Sequence, residues 1–73
     1  MVDTNKLRAH MVLMQHTQKS LAAEMSKRGV KTSEKTLSYK MTGRSRFDCD
    51  DADVICDILC INNMADRAEI FLA

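Results

Sequence analysis

An all-α fold is predicted by three features of the 73-residue chain. It has no proline, only two glycines and three aromatic residues, Tyr39, Phe47 and Phe71, so it lacks the turn punctuation and residue alternation of a sheet protein. Its apolar residues recur at intervals of three and four, the period of an amphipathic helix. Residues that favour helix starts precede these stretches: Thr4 or Asn5, Thr17, Thr32 or Ser33, and Asp48 or Asp50. A chain of this length makes one domain, residues 1–73, with a core small enough that a second subunit would add useful buried area.

The first helix is expected from about residue 5 to His16, with Leu7, Met11 and Met14 on its inner stripe and Val12 and Leu13 widening it. Thr17 caps the second helix, which buries Leu21, Ala22 and Met25. That helix should end at Lys27 or Arg28, because Gly29 supplies the left-handed conformation that closes a helix and Val30 comes next as an apolar plug. The third helix runs from Thr32 or Ser33 to about Thr42, with Gly43 as its stop and Leu37 and Met41 facing inward. The acidic cluster opening the fourth helix suits the positive end of the helix dipole. Its predicted stripe is Ala52, Ile55, Cys56, Leu59 and Cys60. Asn62 and Asn63 mark a turn before a last helix from about Ala65, which ends in the apolar run Ile70, Phe71 and Leu72. These three residues are expected in the core or against a second subunit.

Charge divides the chain in two. Residues 1–46 carry ten Lys or Arg against Asp3, Glu24 and Glu34, a net +7, while residues 47–73 carry seven acidic residues against Arg67 alone, a net −6. The basic half would attract a polyanion and the acidic half would repel it. Within the basic half, the third helix presents Ser33, Glu34, Lys35, Ser38, Tyr39 and Thr42 outward. Short hydroxyls, a cation and one amphipathic ring suit hydrogen bonding to base edges and packing against a thymine methyl. Gly43, Arg44, Ser45 and Arg46 form a basic loop where a docked duplex would present phosphates. A helix, a turn and a second helix with this outer face suggest a DNA-reading unit.

Other classes find less in the sequence. Cys49, Cys56 and Cys60 are odd in number and lie within one helical segment, and His10 and His16 are distant. They are therefore expected as packing thiols, with zinc or redox chemistry and an intersubunit disulfide as the alternatives. No Gly-rich phosphate loop and no paired acid and base suggest catalysis, and no cofactor or metal is expected. No apolar run approaches the ~18 residues of a membrane span, and the N-terminus lacks a signal-peptide stretch. The expectation is a cytoplasmic protein.

The order of parts resembles the lambda repressor and Cro family of helix-turn-helix regulators, and within it the short phage and prophage proteins with a TLSxKL-type recognition helix. The matching residues are Thr17, Gln18, Leu21 and Ala22 in helix two, Gly29 and Val30 at the turn, and Ser33, Thr36, Leu37, Ser38, Lys40 and Met41 in helix three. The stretch from Phe47 through Ile55, Leu59 and Ile61 to Glu69, Ile70 and Phe71 looks like the family's final helices. The resemblance implies a compact five-helix domain, major-groove reading by helix 33–42, and transcriptional regulation by a homodimer on double-stranded DNA. It implies Ser33, Glu34, Lys35, Ser38 and Tyr39 at or near bases and Gln18 at a phosphate. Lys31, Lys40, Arg44 and Arg46 would join Gln18 in positioning the phosphates. Two features differ from the family pattern. Ser33 lies eleven positions beyond Ala22, where about six are usual, so helix two is longer or the turn is. Lys40 stands where an apolar residue is usual, with Met41 in the core role. The alternative function is a small protein-interaction module or inhibitor using its acidic helix 48–60, with no membrane or small-molecule substrate in either case.

Overall fold

Five helices and no strand occur among residues 2–71, the part of the chain that the computed structural model describes. They are α1 (Thr4–Leu13), α2 (Gln18–Lys27), α3 (Glu34–Met41), α4 (Cys49–Ile58) and α5 (Met64–Phe71). The N-caps of α2, α3 and α4 fall where side-chain chemistry predicts them. Thr17 and Ser20 cap α2 reciprocally, Ser33 accepts from the Thr36 amide at the head of α3, and Asp48 and Asp51 cap α4 reciprocally. The cap of α1 is Asp3 rather than Thr4 or Asn5, and its carboxylate accepts from the Lys6 amide.

α1 is shorter than its composition predicts. It closes at Leu13 because Gln15 turns to φ 60. Leu7 and Met11 are buried, whereas Val12 and Leu13 are 76% and 74% exposed and Met14 is exposed as well. Successive helical residues advance by about 100°, so Val12 and Leu13 rotate away from the Leu7 and Met11 stripe instead of widening it.

The stripe of α4 also differs from the expected one. Its inward residues are Asp51, Val54, Ile55, Ile58 and Leu59, with Cys56 beside them. Counted from Asp51 these take positions i, i+3, i+4, i+7 and i+8, a register concealed in the sequence by an acidic residue at its first position. Ala52 is only half-buried, and Cys60 and Cys49 are exposed, so only Cys56 of the three cysteines is the packing thiol expected of all three.

α2 packs against both α3 and α4, and α1 packs against α5. One core therefore draws Leu7 from α1, Leu21 and Met25 from α2, Leu37 from α3, Ile55 from α4 and Ile70 from α5, each essentially inaccessible to water. The Asp3 amide donates to the Ile70 carbonyl at 2.6 Å, and Lys6 pairs with Glu69 at 3.3 Å, fastening the start of the chain to the last helix. Ile70 is thus a core residue; Phe71 is half-buried, and Leu72 lies outside the described residues.

Candidate nucleic-acid interface

The outer face of α3 is held in place from beneath. Leu37 and Met41 anchor the helix in the core, and Lys40 reaches back to Asp51 at the start of α4. Asp51 is 2% exposed, and besides the ammonium of Lys40 its carboxylate accepts from the Asp48 amide. Each partner thereby neutralises the other's burial, and no buried side-chain nitrogen or oxygen among the described residues lacks a partner. The sequence pattern puts Lys40 at a phosphate; the structure instead places its ammonium in this largely buried ion pair, so it is not a free surface cation.

The connection between α2 and α3 has its own clamp. The Ser26 hydroxyl donates to the Thr32 carbonyl at 2.9 Å and accepts from the Thr32 amide at 3.3 Å. A single hydroxyl therefore spans the turn. α2 runs on to Lys27 and the connection occupies residues 28–33, so the eleven positions from Ala22 to Ser33 are five of helix and six of connection. Lys31 is exposed on this connection. Val30 is half-buried against the core, as its role as a plug requires.

On the outward face, Glu34, Lys35 and Tyr39 are exposed, and Ser38 is half-buried between them and the core. The Lys35 ammonium lies 5.8 Å from the centre of the Tyr39 ring, and the Arg44 guanidinium lies 5.5 Å from it. Three of the expected nucleic-acid contacts are thus gathered into one cluster. Ser33 is exposed, yet its hydroxyl accepts from the Thr36 amide and donates to the Thr36 hydroxyl. That hydroxyl is committed to the helix cap, which leaves Ser33 poorly disposed to read a base. Thr42 likewise turns its hydroxyl onto the Ser38 and Tyr39 carbonyls. Arg46 is exposed in the loop after α3, next to Ser45, whose amide donates to the Tyr39 carbonyl at 3.3 Å.

Gln18 is half-buried at the first position of α2 and shares a shallow cleft with Arg8, Met11, Val12 and His16. His16 Nδ1 and the Ser20 hydroxyl are 3.0 Å apart, which ties the imidazole to the cap of α2. Helical periodicity alone makes Arg8 a solvated cation and His16 the end of a helix; their adjacency to Gln18 depends on the early closure of α1.

The exposed carboxylates of α4 have their own cation. Asp50, Asp53 and Asp57 are exposed along α4, and Arg67 of α5 lies 3.8 Å from both Asp53 and Asp57. Among the described residues, no group of three His, Cys, Asp or Glu side chains is placed to hold a metal ion, and no helix is long and apolar enough to cross a membrane. Comparison of the chain with protein-family models, with curated proteins and with solved structures finds no match in any of the three.

Proposed function

We propose that the protein is a sequence-specific DNA-binding regulator of transcription, a repressor of the lambda repressor and Cro type in which α2, the connection and α3 act as a helix-turn-helix. The observation that carries this reading is the cluster of Lys35, Tyr39 and Arg44 on the outward face of α3, which combines a donor, an aromatic surface and a cation at one site. α3 enters the major groove, where Glu34, Lys35 and Ser38 face base edges with the Tyr39 ring beside them. Gln18, Lys31, Arg44 and Arg46 position the phosphates. The net +7 of the first 46 residues supports approach by this side. A homodimer with the end of α5 at its interface suits a two-fold operator, and binding rather than catalysis is the activity.

Selection of bound duplexes from a random library at near-physiological salt tests this directly. The expected result is a two-fold site with half-sites about one helical turn apart. Replacing Arg44 and Arg46 together with Ala should then weaken binding to all duplexes alike and reduce the salt dependence by about two counter-ions. A changed sequence preference in that double variant would reverse the assignment of phosphate and base contacts. No retention of any duplex would sink the DNA reading in favour of a protein partner for the acidic face of α4.

A further inference from the structure

We infer that Tyr39 is a positioning residue whose ring holds both Lys35 and Arg44, and that the base preference delivered by Lys35 depends on that ring. The inference rests on the DNA-reading function proposed above. Lys35 and Tyr39 are four residues apart on α3, the spacing at which side chains on one helix face meet. Arg44 lies beyond the end of the helix, where the chain folds back over Tyr39. Its amide donates to the Tyr39 carbonyl at 2.9 Å, so backbone and side chain both return to the same residue.

Two cations approach one ring at 5.8 and 5.5 Å, and among the described residues neither makes an ion pair with a carboxylate. The negative faces of the aromatic ring attract both cations. Lys and Arg otherwise have long, freely rotating stems. A ring that restricts both stems lowers the ordering cost of DNA binding before the duplex arrives. The two cations nevertheless serve different targets. Lys35, on the helix, suits the O6 and N7 acceptors of a guanine in the major groove, while Arg44, in the loop, suits a phosphate. Tyr39 therefore links a base contact to a backbone contact, and the operator should contain a guanine opposite Lys35.

The test compares the unaltered protein with Tyr39→Phe, Tyr39→Leu and Lys35→Ala on the selected operator and on duplexes substituted at each base pair. Lys35→Ala and Tyr39→Leu should both lose about tenfold of the preference for guanine at the same base pair, and Tyr39→Phe should keep it. If Tyr39→Leu relaxes a different base pair, Tyr39 reads a base itself and the positioning role is wrong. Full retention of preference by Tyr39→Leu would also overturn it. A measurement without DNA separates this inference from the function it rests on: proton NMR of Lys35 and Arg44 side-chain methylenes. Upfield ring-current shifts are expected in the unaltered protein and in Tyr39→Phe, and their loss in Tyr39→Leu. Absence of those shifts from the unaltered protein overturns the stack whatever the protein binds. The shifts without any enriched duplex would overturn the DNA reading and the guanine preference, with the stack alone left standing.

Discussion

The helix pair α2 and α3 ends on glycine, whereas α1 and α4 end on residues with side chains, yet all four helices close in the same way. Gly29 and Gly43 take φ 98 and 87, and Gln15 and Cys60 take φ 60 and 58. In each case the next residue's amide returns to a carbonyl in the last turn of its helix: Val30 to Met25, Arg44 to Tyr39, His16 to Met11 and Ile61 to Cys56. This is the Schellman closure, which satisfies orphan carbonyls through one left-handed residue. Glycine lowers the cost of that conformation without being what imposes it. Chain closure in α1 and α4 is driven by the segments immediately C-terminal to them, since Ile61 must reach the core and α2 must start at Gln18. The two glycines bracket the connection and α3, with Arg44 and Arg46 of the candidate interface directly after Gly43. The two strained residues lie outside it.

The largest effect should come from breaking the joint between these regions, where Lys40 of α3 meets Asp51 of α4. Asp51→Ala leaves a mostly buried ammonium without its partner and removes half of the α4 capping box. We expect a loss of about 3 kcal/mol, at the low end for a buried pair because the Lys40 side chain retains 16% exposure. Denaturant unfolding measures it. Adding Lys40→Met to Asp51→Ala should recover part of the loss, since no charge is then left unpaired. Strict additivity of the two changes would show that the cost arises elsewhere.

Glycine replacement tests the closures themselves. A methyl group at Gly29 or Gly43 meets open space, so Gly29→Ala and Gly43→Ala cost only backbone strain, about 1 to 2 kcal/mol each. The reverse exchange should act with opposite sign. Gln15→Gly and Cys60→Gly relieve strain but add freedom to the unfolded chain, for a net gain of about 0.5 to 1 kcal/mol each. Thermal unfolding reads this as roughly 4 to 8 °C per kcal/mol in a domain of this size. Destabilisation by both exchanges would mean that the Gln15 and Cys60 side chains contribute contacts that outweigh their strain.

The same contrast separates what is legible in the sequence from what is not. Helices α2 and α3 are legible because hydroxyl caps and glycine stops bracket them, and Leu21, Ala22, Met25, Leu37 and Met41 fill their inner faces as expected. The apolar pattern makes α1 and α4 too long at their C-termini, since neither Gln15 nor Cys60 announces a left-handed turn. In α4 the buried Asp51 further conceals the register, so the pattern puts Cys60 inside and passes over Val54 and Ile58. At the candidate interface, helical spacing alone gives the outward set on α3. It does not give the buried role of Lys40, which depends on a carboxylate eleven residues away on another helix.

Cys56 and Cys60, four residues apart, sharpen the contrast at the smallest scale. Cys60 is exposed at the left-handed turn, while Cys56 is buried in the core. Burial pushes the Cys56 thiol above its ordinary value, with Asp53 and Asp57 adding to the rise and Arg67 opposing it. The folded state therefore holds this proton more tightly than the unfolded chain does. The associated stability is fully present below the ordinary thiol range and is lost as pH rises through the raised value. Stability should thus fall in alkali with a slope contribution of up to about 1.4 kcal/mol per pH unit from this group. Cys56→Ala should unfold more easily at neutral pH and show a shallower alkaline slope. An unchanged slope would place the Cys56 thiol in contact with water, and rapid alkylation of Cys56 at the rate of Cys60 in the folded protein would lead to the same conclusion.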